Sequence, residues 1–291
     1  MQIGKIFSTN IVYYRPRIFG LVIAVSVLLS TMLSGRALAQ GDIMVTPHRL
    51  VFDGSKRSEV LNIANTGQDT ARYVVSLIQY RMTEDGSFEQ ITEPDSGQRF
   101  ADPFIRFFPR NVVLGPNEAQ TVKVQLSRAS QLQDGEYRSH FYFRAVPDQA
   151  PLGEEDAAAV DSTITIKLQA IFGITIPVII RRGESTAVVD ITESSLEMIN
   201  GTPVLNLTFK RSGNMSVYGN ITVEHEGLDG IRTQVGMVRG MAVYTPNEIR
   251  RFRLQLSNDK GVDYTQGKLY VVYSVPSDAR DARLAEAEVK L

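Results

Sequence analysis

Residues 163–180 read TITIKLQAIFGITIPVII, and this stretch indicates the fold of the chain. It is much longer than a typical strand of about five or six residues. Because successive side chains of a strand point to opposite faces, one face collects the apolar residues Ile164, Ile166, Leu168, Ala170, Phe172, Ile174 and Ile176. The opposite face collects Thr165, Lys167, Gln169, Gly173 and Thr175. The pattern predicts a long strand with one aliphatic and one polar face.

Pro177 bears on where this strand lies in its sheet. Proline has no N–H to give to a ladder, so it suits an edge strand better than a central one. A long apolar edge strand is an aggregation hazard unless something pairs with it. Two interpretations follow: the aliphatic face belongs to the core of this chain, or the strand adds itself to another protein's sheet.

The rest of the chain from residue 42 onward also has a period of two, with β-branched residues in short runs between Gly, Asn, Asp and Pro. This predicts an all-β protein with two immunoglobulin-like β-sandwich domains. We predict polar loops at 83–102 and 148–162. Near the C-terminus, residues 278–288 are compatible with a helix or with a strand that closes the second sheet.

The N-terminus has the features of a secretory signal. Three basic residues (Lys5, Arg15 and Arg17) precede an apolar run over 19–33, and Ala37-Leu38-Ala39 has the small-x-small spacing of a cleavage site. The alternative is an uncleaved membrane anchor. We predict a signal peptide at 1–39, a first domain at 40–181 that includes the long strand 163–180, and a second domain at 182–291.

Composition excludes several classes of chemistry. A net charge of −1 lacks the basic excess of nucleic-acid-binding proteins, and the absence of cysteine removes disulfides and thiol chemistry. The three histidines, His48, His140 and His225, have no metal-ligand spacing, and no phosphate-binding or nucleophile-elbow motif occurs. We therefore expect no catalytic residues, no metal and no cofactor.

Several stretches of the first domain are similar, in order and spacing, to one known family: Thr46–Gly54, Ser58–Asn65, Phe104–Arg110 with Leu114–Val124, and Asp134–Pro147. They resemble the PapD-like periplasmic pilus chaperones of the chaperone/usher pathway. The resemblance implies two immunoglobulin-like domains in an L-shaped arrangement. It also implies that an edge strand of the chaperone complements a fibre subunit that lacks its final strand, which is a form of β-augmentation.

The resemblance also implies roles for particular residues. Ile164, Ile166 and Leu168, followed by Ala170, match the alternating aliphatics that enter the subunit groove. Arg49 matches the arginine that binds the C-terminal carboxylate of the subunit. The lysine that usually accompanies it falls on Gly173 when counted in register from Thr163, so the chain departs from the family pattern there. Lys167, Arg181 and Arg182 are alternative sources of charge that do not match the motif.

The predicted function is that of a non-enzymatic periplasmic chaperone for pilus or related surface-fibre subunits. Its expected partners are those subunits and an outer-membrane usher, and self-association through the donor edge is a further expectation. The alternative is a structural or adhesive β-sandwich component of a cell-surface fibre.

Overall fold

The computed structural model describes residues 43–146, 173–258, 261–276 and 282–291. All of them belong to one compact unit that spans Gly41–Leu291. Three sequence predictions lie outside the described residues: the signal peptide at 1–39, the loop at 148–162, and the first ten residues of the long strand, which include Ile164, Ile166, Leu168 and Ala170. Among the described residues, no helix is long and apolar enough to cross a membrane.

The first part of the described chain contains ten strands and two short 3-10 helices, the latter at Asp102–Phe104 and Ala129–Gln131. The strands are β1 (Ile43–Thr46), β2 (Leu50–Phe52), β3 (Ser58–Asn65), β4 (Ala71–Met82), β5 (Phe88–Ile91), β6 (Ile105–Phe108), β7 (Asn111–Leu114), β8 (Ala119–Leu126), β9 (Gly135–Val146) and β10 (Gly173–Arg182). They form two sheets, one with the order β1-β3-β8-β6 and one with the order β2-β10-β9-β4-β5, in which β7 also pairs with β4.

The second part contains seven strands, in two further sheets. They are β11 (Val188–Ile199), β12 (Thr202–Ser212), β13 (Val217–Glu226), β14 (Arg232–Val243), β15 (Ile249–Gln255), β16 (Lys268–Ser274) and β17 (Arg283–Lys290). The sheet orders are β11-β12-β15 and β14-β13-β16-β17. This architecture confirms the all-β class with two sandwiches.

Each pair of sheets encloses its own apolar core because alternate residues of every strand turn inward. The first core includes Leu61, Phe141 and Val178, and the second includes Phe209 and Val271. A third, smaller cluster joins the two sandwiches: it contains Met82, Ile179, Ala242 and Tyr244. The sandwiches therefore share a packed apolar contact.

Two local predictions have a definite outcome. The predicted loop 83–102 contains a strand, β5, which pairs with β4 from Gln79↔Ile91 to Met82↔Phe88. The hairpin turns at Asp85-Gly86, where Gly86 has a φ of 87°, a conformation that glycine adopts without strain. At the C-terminus the strand alternative is correct, since β17 pairs with β16 and closes the sheet.

Candidate functional site

The edge of β10 is the first component of the candidate site. β10 pairs with β9 along its whole length, from Gly173↔Arg144 to Arg182↔Gly135. Its other side pairs with β2 only at Val178–Ile180, in parallel register. Within the described part of the chain, Gly173–Pro177 therefore has no strand on that side. A strand edge of this kind presents backbone groups that another chain can pair with.

Pro177 indicates which residues of β10 present those groups. In an antiparallel ladder, directly opposed residues alternate between pairs that exchange N–H and C=O bonds and pairs whose groups point away from each other. Pro177 stands opposite His140 and has no N–H, so its C=O points away from β9. By alternation, the N–H and C=O groups of Thr175 also point to the open side.

The even-numbered side chains of β10 face the core of the first sandwich. Ile176, Val178 and Ile180 are buried in that core, and Ile174 is packed against it. The predicted donor residues Ile164, Ile166, Leu168 and Ala170 are also even-numbered, but they lie outside the described residues. The structure thus places only the last part of the predicted aliphatic face.

Arg49 directly precedes β2, at the end of the open edge. Since Val178 pairs with Leu50, continuing the register by one residue places Arg49 beside Pro177. Its guanidinium carbon lies 4.1 Å from the ring centre of Tyr218, a distance typical of a cation–π contact. The Nη1 atom of Arg49 is buried and has no hydrogen-bond partner. A cavity of about 430 Å³ adjoins this side chain, with Arg181 and Ser216 also in its wall.

Gly173, the position at which the resemblance implies a lysine, lies elsewhere on β10. It is four residues before Pro177, which at about 3.3 Å per residue corresponds to roughly 13 Å along the strand. A Cβ atom at Gly173 would collide with the ring of Tyr142. The structure therefore does not bring Gly173 next to Arg49.

A second arginine, Arg138 on β9, lies near Arg49. Its side chain is only 2 % exposed, and its guanidinium carbon is 4.2 Å from the ring centre of Tyr244. Arg49 lies 5.8 Å from the same ring centre. Arg138 donates from Nη2 to the carbonyl of Tyr80 at 3.4 Å, whereas its Nε and Nη1 atoms have no partner. Burial lowers the pKa of Arg138, and the positive charge of Arg49 acts in the same direction.

Glu136, also on β9, connects the two sandwiches. One carboxylate oxygen accepts a hydrogen bond from Arg181 Nε at 3.1 Å and another from the backbone N–H of Ser216 at 3.1 Å. The hydroxyl of Ser216 donates to the other carboxylate oxygen. Arg181 in turn donates from Nη2 to the carbonyl of Ser216 at 2.8 Å. Both oxygens of this buried carboxylate therefore have partners.

Glu136, Arg138 and His140 form a polar row at alternate positions of β9, and His140 is its last member. It is 4 % exposed, its Nδ1 atom has no partner, and burial lowers its pKa to about 3, with a further contribution from the charge of Arg138. The ring packs edge-on against Tyr80 and Phe88, at 5.1 and 5.7 Å between ring centres. A cavity of about 380 Å³ lies beside these rings, between the sandwiches. The imidazole is therefore neutral at physiological pH.

The sequence did not predict that Glu136 and Arg138 lie in one site with Tyr218 and Tyr244. The signal was present on β9, where Glu136, Arg138 and His140 recur at every second position of a strand that is also rich in aromatic residues. Such spacing indicates one polar and one apolar face. The two tyrosines gave no comparable signal, because they come from the second sandwich.

Metal ligands are not grouped in this region. Among the described residues, no three His, Asp or Glu side chains lie close enough together to hold a metal ion. The polar groups of the site are guanidinium, hydroxyl and backbone groups around a single carboxylate, a set that suits the binding of an anion or a backbone edge.

Solved structures that match this chain include a chaperone from Pseudomonas aeruginosa, CupB2, with 15% identity, coverage of 85% of this chain and 100% of that chain, and a TM-score of 0.40. The CsuC–CsuE chaperone–tip adhesion subunit pre-assembly complex of Acinetobacter baumannii matches at 12% identity, with 86% and 98% coverage and a TM-score of 0.42. The Salmonella enterica SafA pilin–SafB chaperone complex matches at 12% identity, with 86% and 96% coverage and a TM-score of 0.40. A comparison with curated proteins gives no match.

The family model for the pili and flagellar-assembly chaperone PapD N-terminal domain matches residues 42–181. The matched range contains β1 to β9 and nearly all of β10, and so it includes Arg49, the open edge and the polar row of β9. The family is one of chaperones and not of enzymes. The match to the PapD N-terminal domain of pilus chaperones thus covers 140 of the 291 residues of the chain.

Proposed function

We propose that the protein is a periplasmic chaperone that binds pilus or related fibre subunits by donating the edge strand 163–180 to the subunit's sheet. The open side of Gly173–Pro177 is the observation that carries this proposal. PapD-like chaperones work in the periplasm, and the predicted signal peptide at 1–39 would direct the chain there. We also retain 40–181 and 182–291 as the proposed domains.

The position of β2 supports a specific geometry for the added strand. A strand that pairs with the open side of Gly173–Pro177 lies in line with β2, on the same side of β10. One end of the added strand therefore meets Arg49. If the carboxylate of the subunit is to reach Arg49, the added strand must run in the same direction as β10. The proposed pairing is therefore parallel, like that between β2 and β10.

The aliphatic residues supply the energy of the proposed contact. Ile164, Ile166, Leu168 and Ala170 have the same parity as Ile176 and Val178, so an unbroken strand would present them on one face. Burial of a large aliphatic side chain contributes about 1.5–3 kcal/mol. The three largest would together contribute roughly 5–9 kcal/mol before the cost of ordering.

Two further partners belong to this proposal. An outer-membrane usher would receive the subunit from the chaperone. In the absence of a subunit, a second copy of the chain would pair through the same edge, because an unpaired strand edge is a template for any compatible strand.

The test is co-expression with candidate subunits from neighbouring genes. We expect Ile166→Asp together with Leu168→Asp to lower subunit affinity by at least about 100-fold, since two aliphatic contacts of about 1.5–3 kcal/mol each are lost. Thr165→Asp together with Gln169→Asp is the matched control on the polar face. Recovery of the subunit with the purified chaperone is the measurement.

The control separates the proposed mechanism from a general effect of charge. Equal recovery with the two double variants would contradict strand donation through the aliphatic face. Appearance of the protein in a detergent-resistant polymer, and not in a soluble periplasmic pool, would favour the fibre-component alternative.

A further inference from the structure

Around Glu136, the contact between the sandwiches holds more positive than negative charge among the described residues. Arg49, Arg138 and Arg181 lie around a single carboxylate, that of Glu136. Both oxygens of Glu136 are already bound by Arg181 and Ser216. Neither Arg49 nor Arg138 forms an ion pair with a carboxylate among the residues that the structure describes. Two positive charges in this region are therefore without a direct counter-charge.

The two arginines retain hydrogen-bond donors that nothing occupies. Arg49 has one buried unpartnered donor atom, Nη1, and Arg138 has two, Nε and Nη1. A buried donor without a partner costs about 1–3 kcal/mol, and more when the group is charged. Arginine cannot relieve this cost by losing its proton. The physical solution is an anion that neutralises the pair and accepts these hydrogen bonds.

Tyr244 places the two guanidinium groups in one neighbourhood. Their carbons lie 5.8 and 4.2 Å from the centre of its ring, so the two are within about 10 Å of each other. Tyr244 is itself buried, and burial raises its pKa, so it is a neutral phenol at physiological pH. It therefore shields the pair from water without adding a negative charge.

We infer that Arg49 and Arg138 form one carboxylate site and that Arg138 supplies the second positive charge, in place of a residue at position 173. This inference rests on the proposed function, which brings the end of the added strand to Arg49. The ligand is the terminal carboxylate of that strand. Arg181 is a poorer source of this charge because its Nε is committed to Glu136 and its Nη2 to the carbonyl of Ser216.

The site depends on both sandwiches. Arg49 and Arg138 come from the first, whereas Tyr218 and Tyr244, on whose rings they stack, come from the second. Recognition of the carboxylate is thus coupled to the packing of one sandwich on the other. Gly173 takes no part, and the missing lysine does not remove the second charge of the site.

The test compares two peptides with the C-terminal sequence of the captured subunit, one ending in a carboxylate and the other in an amide. We expect the wild-type protein to bind the acid about tenfold more tightly than the amide, because a charge-assisted hydrogen bond contributes about 1.5–3 kcal/mol. Arg138→Gln should bring this ratio close to one, because the affinity for the acid falls about tenfold more than the affinity for the amide. Arg138→Lys, which keeps the charge, should retain most of the ratio.

Because the ratio is measured within one variant, a general loss of folding lowers both affinities and leaves the ratio unchanged. An unchanged ratio in Arg138→Gln, with the ratio lost in Arg49→Gln, would overturn the role of Arg138 and leave the proposed function intact. Failure of the wild-type protein to bind either peptide would contradict the proposed function, and this inference with it.

Discussion

The two halves of β10, Gly173–Pro177 and Val178–Arg182, both contribute to the first core but have different surroundings. In Val178–Arg182, residues 178–180 have a strand on each side, β9 and β2, whereas Gly173–Pro177 has only β9 among the described residues. Both halves carry aliphatic side chains at even positions that face the first core. Both halves therefore contribute to the core, and they differ in whether the backbone edge is paired. A strand can donate its edge to another protein only where that edge is not already paired with a strand of its own chain.

The second sandwich adds to this difference. In the closed half, Ile179 is buried against Ala242 and Tyr244, and Arg181 binds Glu136 and Ser216. In the open half, the corresponding residues Thr175 and Pro177 border the cavity of about 380 Å³. The closed half is thus held by both neighbouring strands and by the second sandwich.

The largest expected effect is on the free energy of unfolding, which should respond very differently to a charge in each half of β10. Val178 is fully buried in the closed half, so Val178→Asp places an unpaired charge in the core. We expect it to lower the free energy of unfolding by more than about 4 kcal/mol. Thr175 is exposed in the open half, and Thr175→Asp should change the same free energy by no more than about 0.5 kcal/mol. Denaturant unfolding of the purified variants measures both.

A large loss of stability in Thr175→Asp would show that the open half is covered in the free protein. That result would contradict the claim that only one half of β10 has an open backbone edge. It would also imply that a second copy of the chain, or another segment, occupies that edge before a subunit arrives.

The sequence predicts the aliphatic face of β10 well but not its neighbours. Period-two spacing is a local property, and it is sufficient to identify the strand and the side that faces the core. The pairing of Val178 with Leu50 joins residues far apart in the chain, so no local pattern indicates that β2 pairs with three of the ten residues of β10. The open edge was nevertheless suggested by one local residue, Pro177.

The candidate site, too, is only partly predictable from local sequence patterns. Arg49 is predicted through its resemblance to a family motif, whereas no motif predicts a role for Arg138, which is a buried arginine in the middle of a strand. Its environment depends on Tyr244, which belongs to the other sandwich. The strand β5 was missed for a different reason: it has only four residues, and polar ones separate it from β4.

A smaller effect is expected at His140, which lies opposite Pro177 where the two halves of β10 meet. Burial lowers its pKa from 6.5 to about 3, so the folded protein holds the neutral imidazole. The unfolded chain binds a proton more readily below pH 6.5. Protonation therefore favours unfolding, and the free energy of unfolding should fall by up to about 1.4 kcal/mol per pH unit as the pH decreases from 6.5 towards 3.

The matched variant is His140→Gln, which does not titrate. Its stability curve should be flatter than that of the wild type between pH 6.5 and 4.5, as measured by denaturant unfolding at a series of pH values. Parallel curves for the two proteins would mean that His140 gains a counter-charge or solvent contact in the folded state. The boundary between the halves would then be more open than the structure shows.

The smallest expected effect tests the boundary itself, at Pro177. Its missing N–H lies on the open side, so the ladder available to an added strand loses a donor next to Arg49. Pro177→Ala restores that donor. A net backbone hydrogen bond contributes about 0.5–1.5 kcal/mol, so subunit affinity should rise by about 2- to 10-fold. The free protein should become less stable by about 0.4–1 kcal/mol, because alanine gives the unfolded chain more freedom.

Thr175→Pro is the converse variant, since it removes a donor from the open half, and it should weaken capture by a similar factor. If neither variant changes subunit affinity, the subunit does not pair with this backbone edge, and the difference between the two halves has no role in binding.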